Sequence, residues 1–299
     1  MASTIGYLKS KNIGNQPKWL SNNMVYEVLM GSQAYGTNQD DADWDIYGVC
    51  VPPKNMVFPH LSGYIHNFGK SPETFNSYVE HHLVCKERNR MYDLSVLSIV
   101  SYLDLAMANN PNIIDSLFVP DHCVLFTSTI GQMITDNRKR FLHKGAKSKF
   151  TGYAKSQWNK MMTKDHSNNK KRQEDIEAIG YSTKYAAHLV RLILECEQLL
   201  TTGDIILNRD RELIKSIRRR EWTLKELTDW KEEKTTQMEV WYAKSELPEK
   251  PDEKFVKQLL IDCLEHHYGS LDNAVKLDIE PEMILSEMQN LIDKFKAKI

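Results

Sequence analysis

The chain has 299 residues, of which 41% are hydrophobic, so it can bury the core of one large domain or two ordinary ones. Its formal net charge of −1 and its pI of about 6.8 exclude a global electrostatic attraction to nucleic acid, so any such contact requires a local basic patch. The five cysteines form no CxxC pair, and no stretch resembles a signal peptide or a membrane span; we therefore expect a reduced, cytoplasmic protein without a disulfide framework or structural zinc site.

The first 125 residues show a mixed α/β pattern. Strands are predicted at MVYEVLM (24–30), DWDIYGVCV (43–51), SYVEHHLVC (77–85) and RMYDLSVLS (90–98), with the charged KERN as a turn between the last two. Helical periodicity follows over 98–110 and stops before a proline, and a short helical piece covers 112–118. The segment VPDHCVLF (119–126) is a last strand or an extended connection.

Beyond about residue 127 helical periods dominate. Helices are predicted within 129–142, 149–162, 181–200, 209–220, 223–244, 253–268 and 280–299, and the polar HSNNKKRQ (166–173) is predicted to be an exposed loop. We therefore place a domain boundary near residue 125, which gives domains of 1–125 and 126–299.

The stretch LMGSQAYGTNQDDADWDIYGV (29–49) carries the strongest chemical signal. A strand that ends in Gly31-Ser32 offers backbone N–H groups and a hydroxyl to a phosphate, and glycine permits a close approach. Asp43 and Asp45 then lie two residues apart at the next predicted strand, so both carboxylates face the same way.

Two carboxylates on one strand face repel each other unless a cation lies between them. Mg²⁺, or Mn²⁺ in its place, takes oxygen ligands and shares them between carboxylates and substrate phosphates, so Asp43 and Asp45 are candidate metal ligands. The alternative is an ordinary hairpin with acids on its solvated face. The combination of strand, Gly-Ser, spacer and Asp-hydrophobic-Asp favours the phosphate and metal interpretation.

This stretch resembles the signature of the DNA polymerase beta-like nucleotidyltransferase superfamily. More narrowly, GSQAYGTNQDDADWDIYGV is similar to predicted nucleotidyltransferases of bacteria and phages, some of which are associated with RNA-repair ligases. LDLAMANNPNIIDSLF (103–118) and GYSTKYAAHLVRLILECEQLLTTGD (180–204) resemble further segments of that family, although Ala42 replaces its usual serine. The resemblance implies an α+β fold, with a polymerase beta-like core of small mixed sheet followed by a mostly helical C-terminal domain that closes the nucleotide cleft.

The superfamily carries a third carboxylate on a later strand, as a general base or a further metal ligand. Asp93, which shortly precedes the helix at 98–110, is the favoured candidate, and Glu80 is the alternative. The neighbouring His81 and His82 should face opposite sides of their strand, so we do not expect them to form a metal pair.

A stripe of polar residues marks the long helix at 181–200. At ~100° per residue, Lys184, His188, Arg191 and Glu195 fall on one narrow face. On this pattern alone an internal Arg191–Glu195 pair on a solvated face explains the stripe. The resemblance, in which the Lys, His and Arg recur, implies instead a nucleotide site with Lys184 and Arg191 on the phosphates. His188, and Tyr35 within the Gly-Ser motif, are further candidate nucleotide-binding residues.

The resemblance implies transfer of a nucleoside monophosphate from an NTP to an acceptor hydroxyl. Basic clusters at 138–149, 170–172 and 218–220, with aromatic residues between them, favour an RNA or tRNA end as the acceptor. A protein side chain or a small molecule is the enzymatic alternative, and a non-catalytic nucleotide- or RNA-binding module is the alternative from another class. The preferred NTP and the oligomeric state are not predictable from these motifs.

Overall fold

The computed structural model describes residues 3–37, 43–65, 69–70, 73–163, 170–271 and 288–289. The chain divides into two compact units, one of residues 1–52 and 76–263 and the other of residues 53–75 and 264–299. The second unit includes a short helix, a 3₁₀ helix at Pro59–Ser62, and the rings of Phe58 and Tyr268 at 6.1 Å from each other. The boundary expected near residue 125 lies inside the first unit, where sheet and helices belong to one compact body.

One five-stranded mixed sheet forms the centre of the first unit. Its strands are β1 Met24–Leu29, β2 Trp44–Cys50, β3 Ser77–Cys85, β4 Arg90–Ser98 and β5 Val124–Thr127, in the spatial order β3-β4-β2-β1-β5. β2 and β4 run parallel, whereas the other neighbouring strands are antiparallel. The four predicted strands and the turn between β3 and β4 are confirmed, and 119–126 contains a short edge strand.

The helices are α1 Thr4–Ser10, α2 Gly31–Ala34, α3 Lys54–Val57, α4 Ile99–Met107, α5 Pro111–Leu117, α6 Thr129–Asp136, α7 Ala146–Met162, α8 Lys170–Ile179, α9 Thr183–Thr202, α10 Arg211–Arg218, α11 Leu224–Lys244 and α12 Glu253–Tyr268. This α+β arrangement confirms the predicted fold class. Two local expectations were wrong: the Gly-Ser bend is the first turn of α2, and residues 170–173 of the expected loop begin α8. The expected helix at 280–299 lies outside the described residues, apart from 288–289.

The long helix α9 is the central helix of the first unit. It packs against α7, α10 and α11, and side chains on nearly all of its faces are buried. Asp175 on α8 accepts hydrogen bonds from the backbone N–H of Thr183 at 3.0 Å and from its hydroxyl, which satisfies a donor of the first turn. Gly203 ends the helix in the left-handed conformation, where a glycine carries no Cβ penalty.

The ANNP segment between α4 and α5 sets the direction of α5. Asn109 is fully buried with φ +51°, and its amide donates to the carbonyl of Phe141 at 2.7 Å. Asn110 caps α5 by accepting from the N–H of Asn112, and Pro111 occupies the first helical position, where no N–H is needed. The turn thereby places Asp115, on α5, in the protein interior.

Two sequence expectations concern the chain as a whole. All five cysteines are free and buried. Within the described residues, no helix has both the length and the apolar character needed to cross a bilayer.

Candidate active site

Gly31 brings the start of α2 against the carboxylate of Asp45. The N–H of Met30 donates to the carbonyl of Asp45 at 2.7 Å, and Gly31 follows with φ +63°. A Cβ on residue 31 would overlap Oδ2 of Asp45 and lie 3.0 Å from its Cγ. Glycine is therefore needed here twice, for its backbone conformation and for the close approach to Asp45.

Three carboxylates lie at one end of β2 and β4. Asp43 directly precedes β2 and is exposed, Asp45 is the second residue of β2, and Asp93 stands opposite Asp45 in the parallel β2–β4 register. Residues paired in this way have their side chains on the same face of the sheet. Burial raises the pKa of Asp45, and the negative charges of Asp93 and Asp43 raise it further. The tertiary structure thus brings the three acids within electrostatic range of one another.

The acids fit a hard divalent cation by donor type and by charge. All three offer carboxylate oxygens, which Mg²⁺ prefers, and their mutual repulsion is what a bound cation would relieve. Among the described residues, however, no group of three or more His, Cys, Asp or Glu side chains converges as a metal-binding set. Their role as metal ligands therefore stays a prediction.

Asp93 contacts β3 on its other side. Its Oδ1 accepts a hydrogen bond from the backbone N–H of His82 at 2.7 Å, and its Oδ2 lies 3.3 Å from Nδ1 of His81. The expectation that His81 and His82 face opposite sides was wrong, because the β3–β4 register shifts between Glu80 and Leu83. The two histidines form a bulge that opposes Asp93.

Glu80, the alternative third acid, has different neighbours. It pairs in register with Leu94, one residue beyond Asp93, and so belongs to the opposite face of the sheet. Its carboxylate accepts from the N–H of Asn15 at 2.8 Å and from the Tyr78 hydroxyl. This arrangement ties Glu80 to the chain near its N-terminus rather than to the carboxylates of β2.

Lys184 lies across from the carboxylates, at the start of α9. Its residue is accessible to solvent, yet the protein around its ammonium group lowers its pKa; Arg172 and Arg218 lower it further, while Asp45 and Asp43 raise it. Lys184 is therefore within electrostatic range both of other cations and of the β2 acids. Phosphate binding by Lys184 stays a prediction.

His188 is surrounded by positive charge one turn further along α9. Burial lowers its pKa to about 3, with further contributions from Arg191, Lys184, Arg218 and Lys160. The imidazole is therefore neutral near pH 7, where it offers one hydrogen-bond donor and one acceptor.

We call Lys160, Arg172, Lys184 and Arg218 the cationic cluster. Sequence reasoning found only Lys184 among them, because it assigned 170–172 and 218–220 to RNA contact and gave no role to Lys160. Arg172 donates to the hydroxyl of Tyr185 at 3.1 Å, and Arg218 lies 3.4 Å from that of Thr183. Only the packing of α7, α8 and α10 around α9 brings these cations together, so the linear sequence could not indicate that they form one cluster.

Arg191 belongs to a buried ion-pair network and is not a member of the cationic cluster. Its guanidinium donates to Asp115 on α5 and, at 3.1 Å, to Glu195, and it lies 4.1 Å from the ring centroid of Tyr35. The hydroxyl of Tyr35 donates to Asp115 at 2.8 Å. The internal Arg191–Glu195 pair that the sequence left as an alternative is present here, and direct phosphate contact by Arg191 and Tyr35 stays a prediction.

The remaining basic cluster, at 138–149, is largely paired with acids. Its ion pairs are Lys139–Asp204, Arg140–Asp252, Lys144–Glu249 and Lys147–Glu239, at 2.5–2.7 Å. The interleaved Phe141 and Phe150 are fully buried, so neither offers a stacking surface. Four basic side chains of this segment are therefore engaged by acids, and its contact with RNA stays a prediction.

A comparison of the sequence with known families identifies the family of this chain. A sequence model of the RNA repair pathway DNA polymerase beta family matches residues 9–262. A solved nucleotidyltransferase-like protein from Exiguobacterium sibiricum aligns over 92% of this chain and 86% of its own, at 9% identity and with a TM-score of 0.27. No curated protein matches. The family match includes every residue of the candidate active site and confirms the resemblance seen in the motifs.

Proposed function

Because this chain belongs to the RNA repair pathway DNA polymerase beta family, we propose that it is a metal-dependent nucleotidyltransferase that moves a nucleoside monophosphate from an NTP to an acceptor hydroxyl. One observation carries the proposal: the parallel register places Asp93 beside Asp45, with Asp43 next to them and the backbone of Gly31 against Asp45. Three acids without a fixed cation repel each other, so the arrangement calls for a cationic cofactor.

Asp43, Asp45 and Asp93 would hold Mg²⁺ or Mn²⁺ in this site. When bound, such a cation neutralises the charge that develops on the phosphates and fixes their orientation. We assign the triphosphate to the region between these acids and the cationic cluster. Gly31 and Ser32, which lie next to the acids, would contact it there. The charge of the cluster supports this assignment, since cations forced close together are stabilised by a bound polyanion.

The acceptor is activated by the third acid. Asp93 takes the proton of the acceptor hydroxyl as its oxygen bonds to the α-phosphorus, and the bond from that phosphorus to the bridging oxygen breaks with release of pyrophosphate. Oδ1 of Asp93 accepts from the N–H of His82 and lies 3.9 Å from the imidazole Nδ1 of the same residue, while Oδ2 lies 3.3 Å from Nδ1 of His81. A carboxylate oxygen carries a further lone pair, which is the one we assign to this role.

Three of the predicted nucleotide ligands take roles other than direct charge contact with a phosphate. His188, neutral near pH 7, contributes a hydrogen bond rather than a charge to the nucleotide. Arg191 and Tyr35 act through the buried network, where Asp115 joins them and links α2, α5 and α9. They are positioning residues that fix the helix carrying Lys184.

The acceptor we propose is an RNA end, with tRNA as the first RNA to screen, because the family is one of an RNA repair pathway. The test is incubation with each α-labelled NTP and total RNA, tRNA or cell lysate, followed by asking which fraction takes up the label. Label in protein or in a small molecule would favour the enzymatic alternative and overturn the RNA assignment.

The reaction itself is tested by the Asp43→Asn/Asp45→Asn double variant. We expect transfer to fall by at least about 10³-fold, since loss of one preorganised electrostatic partner already costs about 10²–10³-fold. Asp104→Asn, an exposed acid on α4, is the matched control and should retain wild-type activity. Unchanged pyrophosphate release in the double variant would remove this mechanism, and NTP binding that calorimetry finds indifferent to Mg²⁺ would favour a non-catalytic module.

A further inference from the structure

The bulge on β3 is the feature that the proposed reaction leaves unexplained. His81 and His82 together oppose the single residue Asp93, because the register passes from Glu80–Leu94 to Leu83–Tyr92. β3 is an edge strand of the sheet, and β4 separates it from β2. The bulge therefore touches the third acid from the side away from Asp45.

His82 adopts a left-handed backbone conformation, which residues other than glycine take in only a few per cent of cases. Its φ is +59°, in the left-handed region where bulges of this kind commonly use glycine. This conformation aims its N–H at Oδ1 of Asp93, at 2.7 Å. In a regular strand at this position the N–H would not lie opposite the carboxylate.

His81 provides the second contact to Asp93, with Nδ1 at 3.3 Å from Oδ2. The two histidine side chains are 57% and 74% exposed, whereas that of Asp93 is 21% exposed. Exposed contacts of this kind contribute little to folding stability. The strained backbone of His82 is therefore not explained by stability, and its location next to a candidate catalytic acid suggests a role in the site.

We propose that the His81–His82 bulge is a positioning device for Asp93. The backbone N–H of His82 donates to one carboxylate oxygen and the imidazole of His81 lies against the other, so the two contacts fix the rotation of the carboxyl group relative to Asp45. The inference rests on the proposed function, because it gives Asp93 a catalytic orientation to maintain. Sheet pairing alone fixes the Cα of Asp93 and leaves its side-chain torsions free.

Two pairs of variants test the two contacts with Asp93. In each pair one substitution removes the contact and the other keeps it with a different side chain. His81→Leu removes the imidazole nitrogen that lies against Asp93, whereas His81→Asn presents an amide nitrogen the same number of bonds from the backbone. His82→Val disfavours the left-handed conformation, whereas His82→Gly adopts it readily and keeps the N–H. His122→Leu, at an exposed position outside the site, is the control.

Two quantities should be measured for each folded variant: kcat and KM for NTP, and the Mn²⁺ affinity of the nucleotide-free protein by calorimetry. We expect His81→Leu and His82→Val to lose about 10- to 100-fold in kcat and in Mn²⁺ affinity with little change in KM, as for other groups that orient metal ligands. His81→Asn and His82→Gly should restore most of both quantities. If His82→Val fails to fold, the His81 pair still decides the matter.

Unchanged kcat and Mn²⁺ affinity in His81→Leu would overturn the inference. Tighter Mn²⁺ binding in that variant would also overturn it, since the bulge would then compete with the metal for Asp93. Asp45→Asn belongs in the same assay. If Asp45→Asn retains full turnover, the proposed function is wrong. If Asp45→Asn abolishes turnover while the His81 and His82 variants retain it, only the role of the bulge is refuted.

Discussion

The contact between Gly31 and Asp45 makes a substitution at position 31 a sharp test of the site. Gly31→Ala places a residue with a side chain at φ +63°, which costs about 1–2 kcal/mol. The new Cβ also overlaps the Asp45 carboxylate, and rotating that side chain away costs about 0.5–1.5 kcal/mol more. We therefore expect the free energy of unfolding to fall by about 1.5–3.5 kcal/mol. Transfer activity should fall about 10²-fold, because a small displacement of a catalytic group is sufficient for such a loss.

Gly180→Ala is the matched control for the backbone. Gly180 has φ +83°, and nothing lies within 4 Å of a Cβ placed there, so this variant carries the conformational cost without the overlap. Urea denaturation should give a loss of about 1–2 kcal/mol for Gly180→Ala, with transfer activity unchanged. The difference between the two glycine variants then measures the contact with Asp45.

A double-mutant cycle completes the test. Asp45→Ala removes Oδ2 and Cγ and leaves its Cβ at 3.4 Å from the added atom, which is close to ordinary contact. In the Asp45→Ala background, Gly31→Ala should cost no more than Gly180→Ala. An equal cost of Gly31→Ala with and without the Asp45 carboxylate would refute the reasoning, as would full activity of the single Gly31→Ala variant.

Two further predictions concern the charges of α9. Lys184→Met should weaken NTP binding about 10- to 100-fold, since hydrogen bonds to charged groups contribute about 1.5–3 kcal/mol, whereas Lys149→Met on α7 should bind NTP normally in calorimetry. Equal binding by both variants would remove Lys184 from the triphosphate site. The pKa of His188 is about 3 in the folded protein and near 6.5 when unfolded, so only the unfolded chain gains a proton as the pH falls through this window. Acid should therefore lower the free energy of unfolding by up to about 1.4 kcal/mol per pH unit. His188→Asn should flatten that slope in urea titrations between about pH 7 and pH 5, and an unaltered slope would contradict a buried neutral imidazole.

Much of the sheet followed from local pattern alone. The apolar run that ends at Gly31, and the alternation around Asp45, predicted β1 and β2 because strand periodicity and turn residues are local properties. The same reasoning from alternation wrongly predicted that His81 and His82 face opposite sides of β3. A bulge adds a residue to one strand without changing its composition, so its presence depends on the partner strand and cannot be seen in the period of β3.

The cations show a similar division. Helical periodicity placed Lys184, His188 and Arg191 on one stripe, and the structure keeps them on α9. The charged neighbours from other helices differ, however. Arg172 and Arg218 lie near Lys184, whereas Arg191 forms a buried ion pair with Asp115. Which member of the stripe faces a ligand and which faces the core is therefore a property of packing.

The sequence by itself determined the types of elements, the family, and the Gly-Ser and Asp-x-Asp motifs that suggest phosphate and metal chemistry, because each of these depends on residues close together in the chain. Only the tertiary structure decided that Asp93 rather than Glu80 stands beside Asp45. A parallel pairing of β2 with β4 joins residues nearly fifty positions apart, and no local preference fixes such a register.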